Sequence, residues 1–301
     1  MPLIALLLVA GCAQSPEDTL QWRESWELLG LLEGSRVLDA RVTVGNTGLL
    51  RGQGRLQLAL WEPQAAPIQF SRHAGPLAVE RDPAAGRATI GTDGLAHEDG
   101  GWSLRVGDDN VNALVQLSPS TAAAPAQDSP EGWSTRLAVP FGDISGWITA
   151  GERGGLVGGR GLLLYRGGAS PPPLPRMGAY VLSPALQLIV DQHGTSTVAW
   201  AQLDGQPLPT EGLTTDFPAT GPATITLPGG TVTIRRRKTR GTTDPFEHLM
   251  LAERWLAAPL TGAPRRRLQV AQATIQLGGR TLRAPAIVLE VRAHSDFTRA
   301  P

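Results

Sequence analysis

The chain has 301 residues and equal numbers of basic and acidic side chains, 27 of each, so its formal net charge is zero. This balance argues against nucleic acid as the main partner, and a single cysteine excludes an internal disulfide. The length and a hydrophobic content of 41% allow two globular domains of ordinary size.

The first predicted element is an export signal. Leu3–Ala10 is apolar but too short to cross a bilayer as a helix, and it leads into Val9-Ala10-Gly11-Cys12. This ending resembles the bacterial lipobox, which implies a lipoprotein signal peptide at residues 1–11, lipidation of Cys12 and a polar tether at residues 12–19. An ordinary signal peptide is the alternative, and the absence of Lys or Arg before the apolar run leaves an upstream start open.

The lipobox resemblance also predicts where the protein resides. Ala13, rather than an aspartate, follows the cysteine, which favours a bacterial outer-membrane lipoprotein that faces the periplasm. The acyl chains would make the membrane a partner, since each buried methylene contributes about 0.8 kcal/mol. No protein partner is predicted.

Two tryptophans mark the next segment, Leu20–Leu32. Trp22 and Trp26 stand four residues apart, which places both indoles on one face of a helix. One interpretation is an amphipathic segment or first strand that closes over a core. The other is an indole pair that enters the membrane interface beside the anchor.

Short alternating strands dominate the rest of the chain. About six to eight of them, at roughly ten-residue spacing, run from Arg36 to Pro119, and a similar series begins at Trp133. Thr121–Pro130 is low in complexity and is interpreted as a linker. The sequence therefore predicts an all-β fold of two antiparallel barrels, at residues 20–130 and 131–301.

A glycine-rich repeat supports two similar halves. Thr43–Leu58 and Thr149–Leu164 both follow the pattern T-x-G-x-x-G-x-L-x-G-x-x-x-L-x-L, which indicates a strand, a tight glycine turn and a second strand.

Near the C-terminus, Asp244–Leu256 has apolar residues at helical spacing and predicts one short helix. Gly278-Gly279 then predicts a hairpin.

Two segments, Ala88–Val106 and Trp133–Gly161, resemble the AttH-like and carotenoid 1,2-hydratase (hydroxyneurosporene synthase) family, relatives of the Svf1 survival factors. The resemblance implies two lipocalin-like barrels in tandem. The family carries an acidic residue in a glycine- and tyrosine-containing segment of its second half, where this chain has Leu164. Loss of that carboxylate argues against hydratase chemistry, because protonation of a double bond needs a well-placed acid.

No catalytic, cofactor or metal motif is evident, and each of the five histidines stands alone in its stretch. Aromatic residues at strand positions either pack barrel cores or line an apolar cavity, and the candidates for ligand binding are Trp61, Trp102, Trp147, Tyr165 and Trp200. A run of basic residues either lies in solvent at the end of a hairpin or orients the protein on an anionic membrane. Its residues are Arg235, Arg236, Arg237, Lys238 and Arg240.

Three functional hypotheses follow. The leading one is a lipid-anchored envelope protein that shelters a hydrophobic small molecule, a lipid or an isoprenoid, in a lipocalin-like barrel, without catalysis or a cofactor. The second is an isoprenoid- or carotenoid-modifying enzyme of the hydratase type, which is motivated by the family resemblance. The third is a structural lipoprotein without a ligand.

Overall fold

The computed structural model describes residues 22–47, 50–124, 126–128, 132–168, 174–219, 221–243 and 264–293. Cys12 and the predicted helix Asp244–Leu256 lie outside these segments. For residues 237–243 the backbone alone is described, so nothing follows for the side chains of Arg237, Lys238 and Arg240.

Antiparallel strands in two sheets make up the described chain. The first sheet contains β1 (Arg23–Leu32), β2 (Arg36–Thr47), β3 (Leu50–Trp61), β4 (Ile68–Ala74), β5 (Val79–Asp82), β6 (Arg87–Ile90), β7 (Asp93–Glu98), β8 (Gly101–Gly107), β9 (Asn112–Pro119), β10 (Gln127–Asp128), β11 (Trp133–Ala150) and β12 (Arg153–Gly168). The second contains β13 (Arg176–Leu182), β14 (Leu186–His193), β15 (Ser196–Leu203), β16 (Gln206–Pro207), β17 (Thr214–Asp216), β18 (Ala223–Leu227), β19 (Gly230–Thr243), β20 (Pro264–Leu277) and β21 (Arg280–Ala293).

The first sheet curls into a near-barrel with the strand order β4-β3-β2-β1-β12-β11-β9-β8-β7-β6-β5, and β10 pairs with β11. Arg72 of β4 forms an ion pair with Asp93 of β7 and donates a hydrogen bond to the Gly107 carbonyl at 3.2 Å. Gly54 of β3 lies against Val79 and Ile90 of β5 and β6. These contacts bring the two ends of the sheet together.

The second sheet, in the order β16-β15-β14-β13-β21-β20-β19-β18-β17, forms a second near-barrel with its own apolar core. Period-two alternation gives each strand two faces, and both faces are buried where the two barrels meet, as in β1 and β13. In β3, Leu58 and Leu60 fill the first barrel, whereas Ala59 and Trp61 join a third apolar cluster that also contains Tyr180 and Leu289 of the second sheet. The barrels therefore pack side by side, and the predicted all-β tandem lipocalin-like fold is confirmed.

The glycine-rich repeat has a different meaning from the predicted one. Both copies form hairpins, β2–β3 and β11–β12, but both hairpins belong to the first sheet, on either side of β1. The alignment equates Gly48 with Gly154, yet Gly154 pairs with Thr149 and the second turn lies at residues 151–152. The two copies therefore do not mark two duplicated barrels.

The extent of the first barrel also differs from the prediction. The sequence predicts a boundary between residues 130 and 131, whereas the sheets part between Gly168 and Arg176, because β11 and β12 pair with β9 and β1. Trp22 and Trp26 are 6% and 1% exposed and belong to the first core, so neither indole is free to enter a membrane. No helix in the described segments has the length and apolarity of a membrane-spanning one.

Candidate functional site

Strand β1 crosses the contact between the barrels and carries charge on both faces. Trp22, Trp26 and Leu28 belong to the core of the first barrel, whereas Leu29 belongs to the cluster between the barrels. Glu24 faces the interior of the first barrel, where it bonds to Arg81 and Tyr165. Glu27 faces the second barrel, where it bonds to Arg176. Because burying a carboxylate costs several kcal/mol unless it is paired, the partners of each define a candidate site.

The inner carboxylate, Glu24, is 4% exposed and is held by two side chains. Arg81 of β5 donates from Nε to Oε2 at 2.6 Å and from Nη2 to Oε1 at 2.8 Å. The Tyr165 hydroxyl donates to Oε1 at 3.0 Å. A fork of this kind fixes the plane of the carboxylate.

Aromatic rings lie against the two partners of this acid. The Trp26 and Tyr165 ring centroids are 5.0 Å apart, and the Arg81 guanidinium lies 4.5 Å from the centroid of Trp22. An indole face attracts positive charge, and Arg81 shows that the face of Trp22 already does so here. The Glu24 carboxylate and the Tyr165 hydroxyl therefore meet beside an electron-rich apolar wall.

A glycine makes room for this arrangement. Trp26 pairs with Tyr165 and Glu24 with Gly167 in the β1–β12 ladder, so all four share the inner face. A Cβ at position 167 would lie 3.0 Å from the Tyr165 hydroxyl and 3.2 Å from Glu24 Cγ. Only a residue without a side chain leaves that space open.

Leu164, which stands where the family resemblance placed an acid, does not face this site. It is fully buried in the cluster between the barrels, on the opposite face of β12 from Tyr165. The acid of the first barrel comes instead from β1. The absence of an acid at position 164, which argues against hydratase chemistry, therefore concerns a residue that lies outside the interior of the first barrel.

The outer carboxylate, Glu27, is the centre of a buried ionic network between the barrels. It accepts hydrogen bonds from Arg166 at 3.0 Å, Arg176 at 3.0 Å and Arg266 at 3.2 Å. Two further acids complete the network. Asp39 receives a fork from Arg266, and Asp191 receives one from Arg176 and a bond from the Tyr180 hydroxyl at 2.7 Å.

The pKa values in this network follow from burial and from the arginines. Burial would raise the pKa of Glu27, but the neighbouring arginines, Arg176 first, outweigh it and lower the pKa to about 2. The pKa of Asp191 is lowered in the same way, while burial and Asp191 raise that of Tyr180. Burial and Arg266 lower the pKa of Arg41 to about 9. Glu27 and Asp191 are thus ionised at neutral pH, and their bonds to arginines hold the two barrels together.

The five aromatic residues predicted to bind ligand do not converge on one site. Tyr165 lies in the first barrel beside Glu24. Trp102 packs against the same core, and its ring is tilted against that of His97 with 5.5 Å between the centroids. Trp61 and Trp200 belong to the cluster between the barrels, and Trp147 is 38% exposed on the surface. Of the five, only Tyr165 contacts the buried acid.

The described members of the basic run lie on β19 of the second barrel. Arg235 is exposed and Arg236 is half-buried, and both line a surface pocket.

Among the described residues, no group of three His, Cys, Asp or Glu side chains is arranged to hold a metal ion. His193 contacts Asp191 at 3.0 Å and so belongs to the ionic network.

Sequence reasoning missed Glu24, Arg81, Glu27 and the network arginines. The signal was present in Trp22–Leu29, where two glutamates lie in a strand segment that also carries two tryptophans and two leucines. In a strand with both faces buried, each such acid needs a partner from a distant strand. The helical spacing of the two tryptophans concealed this pattern.

No protein-family model and no curated protein sequence matches the chain. Solved structures match it at the level of fold. CghA, determined with Sch210972, has a TM-score of 0.61 and 9% identity, and the match covers 90% of this chain and 88% of that one. Kievitone hydratase from Nectria haematococca has a TM-score of 0.57 and 10% identity, covering 97% and 95% of the two chains. An AttH-like protein from Nitrosomonas europaea has a TM-score of 0.58 and 13% identity, covering 96% and 100%.

Proposed function

The chain has the fold of an AttH-like protein and of a hydratase, and from that premise we propose that it adds water to, or removes it from, a double bond of a largely apolar molecule such as an isoprenoid. The observation that carries the proposal is the buried Glu24 carboxylate, hydrogen-bonded to the Tyr165 hydroxyl inside the first barrel. The sequence argues against hydratase chemistry because Leu164 replaces the expected acid, and Glu24 supplies a buried acid at another position.

The chemistry uses the two groups as a pair. Tyr165 donates its proton to one alkene carbon, a water oxygen bonds to the other carbon, and Glu24 takes the proton that this water loses. The proton then returns from Glu24 to Tyr165 through their 3.0 Å hydrogen bond, so both groups are restored and one water has been added. Because a tyrosine is a weak acid, the substrate is a conjugated or otherwise activated alkene.

Arg81 and Trp26 support the same step. The guanidinium orients Glu24 as a base through two hydrogen bonds, and the Trp26 indole, which lies beside Tyr165, stabilises positive charge that develops on the protonated alkene. Arg81 lies on β5, an edge strand that pairs only with β6, and its side chain is 21% exposed. The edge strand is therefore the proposed route by which substrate reaches Glu24.

The test is turnover in isotopic water. Purified protein is incubated in H₂¹⁸O with acyclic carotenoids and with alkenes conjugated to a carbonyl or aryl group, and products are examined by mass spectrometry. We expect a product heavier by one labelled water, lost in Glu24→Gln and reduced at least a hundredfold in Tyr165→Phe. Glu80→Gln is the matched control, because Glu80 pairs with Arg87 on the surface.

Two results would redirect the proposal. A bound apolar molecule found by native mass spectrometry without turnover of any probe would reduce the function to binding, as the leading sequence hypothesis holds. Turnover that persists in Glu24→Gln would contradict the assignment of this acid.

We also propose that the protein acts at a bacterial envelope membrane, to which lipidated Cys12 attaches it. The support is the lipobox-like Val9–Cys12 and the solitary cysteine. Mass spectrometry of a membrane fraction should find the acylated mature chain. A Cys12→Ala protein that stayed in the membrane fraction would contradict the anchor.

A further inference from the structure

A pocket of about 540 Å³ opens at one end of the second barrel, away from Glu24. Its lining includes Arg235 and Arg236 of β19, Arg267 and Gln269 of β20, and the backbone of the segment before β18. This volume lies within the range of small-molecule sites. The first barrel's chemistry makes no use of it.

Positive charge is in excess around this pocket. The buried Glu290 pairs with Arg292 at 2.7 Å and lies 3.8 Å from Arg267. Arg236 donates instead to the backbone carbonyls of Pro218 and Ala219 at 3.0 and 3.2 Å. Counting Arg235 at the rim, four arginines stand against one described glutamate, an excess of three positive charges.

The environment of Arg236 shows that this charge is poorly neutralised. Its Nε is buried and has no hydrogen-bond partner in the described part of the chain. Burial lowers the pKa of the Arg236 guanidinium, and Glu290 offsets the shift only in part. The positive charges of Arg292 and Arg267 lower that pKa further.

We propose that this pocket binds a phosphate-type oxyanion, with Arg236 and Arg267 as its principal ligands. Arginine forks match the geometry of phosphate oxygens, and an oxyanion brings negative charge to a pocket at which the described arginines outnumber the described glutamate. The phosphate belongs either to a soluble phosphate ester or to a lipid headgroup. The proposal is independent of the function of Glu24.

The experiment has two arms with the same purified protein. In the first, inorganic phosphate and phenyl phosphate are titrated by calorimetry, with chloride as the reference anion. In the second, cosedimentation compares vesicles of phosphatidylglycerol with vesicles of phosphatidylcholine. Binding in the first arm alone identifies a soluble ester, and binding to phosphatidylglycerol alone identifies a headgroup, so either outcome supports the oxyanion site.

Variants assign the binding to this pocket. We expect Arg236→Gln and Arg267→Gln each to weaken binding at least tenfold, and Arg236→Lys to restore part of the loss. Arg283→Gln is the matched control, since Arg283 is exposed on β21 and lies outside the pocket. Binding in neither arm, or binding unchanged in both Gln variants, would overturn the proposal.

A measurement on the unmodified protein covers the case in which a variant does not fold. Phenylglyoxal labels accessible arginines, and peptide mass spectrometry reads each position. Saturating phenyl phosphate should lower labelling of Arg235 and Arg267 severalfold and leave Arg283 unchanged. Equal labelling with and without the phosphate ester would contradict the soluble-ligand form of the site.

Discussion

At the scale of single residues, the central feature is the hydrogen bond between Glu24 and Tyr165. These two residues are 141 positions apart in the chain and meet only because β1 pairs with β12. Gly167 is the residue that leaves space for their contact. A small change at position 167 therefore tests the site without removing either catalytic group.

We predict that Gly167→Ala lowers the rate of the proposed hydration more than it lowers stability. The added methyl group pushes on the Tyr165 hydroxyl and Glu24 Cγ, so the pair separates, while the free energy of unfolding falls by about 1 kcal/mol. Product formation and urea unfolding measure the two effects. Gly107→Ala is the control, because a Cβ there makes an ordinary 3.6 Å contact with Asn112. Full activity in Gly167→Ala would contradict the requirement for this space.

At the scale of the strand, β12 has two faces with different chemistry. Tyr165 faces the first barrel's interior, and Leu162 and Leu164 face the second barrel. Earlier in the same strand Leu156 is 82% exposed. One strand thus contains a buried and an exposed leucine for comparison.

Leu164→Asp, which places an acid where the family resemblance expects one, should destabilise the protein without giving it new activity. An unpaired carboxylate in an apolar cluster lowers the free energy of unfolding by roughly 3 to 5 kcal/mol. Leu156→Asp should change it by less than about 0.5 kcal/mol, because the side chain is in solvent. Urea unfolding of both variants gives the comparison, and equal stabilities would show that Leu164 is not buried between the barrels.

The strands also show how far sequence patterns predict the fold. Leu56, Leu58 and Leu60 alternate with other residues, and the predicted strand there is confirmed as β3. Strand β1 was ambiguous because both of its faces are buried, so polar and apolar residues do not alternate along it. Periodicity indicates which face is buried only when the other face is in water.

At the scale of the whole molecule, the two barrels form one unit through an apolar cluster and an ionic network. Arg266 of the second barrel bonds to Asp39 and Glu27 of the first. A buried ionic network contributes little net stability but is costly to break, so it specifies how the barrels are arranged. Its protonation is therefore expected to weaken the whole fold.

We predict that stability falls as the pH drops from about 4.5 toward 2. The pKa of Glu27 is near 4.5 in the unfolded chain and about 2 in the folded one, so its stabilisation is complete above the higher value and is lost toward the lower. The loss is on the order of 3 kcal/mol for this group. Urea unfolding at a series of pH values measures it.

The control for this prediction is Glu27→Gln, in which the decline between these pH values should be shallower and the starting stability lower by about 3 to 5 kcal/mol. If that variant does not fold, the carbon-13 shift of the Glu27 carboxyl in the unmodified protein gives the pKa directly. An ordinary pKa for Glu27 would contradict its place in the network.

The sequence by itself determined the local features of this protein: strand content, glycine turns, the hairpin at Gly278-Gly279 and, with the family resemblance, two barrels. These follow from period-two patterns and turn residues, which act over a few neighbouring positions. Only the tertiary structure decided that Glu24 meets Tyr165 and that Asp39 meets Arg266, 227 residues away. Strand pairing between distant segments places these charges together, and no local pattern encodes which strands pair.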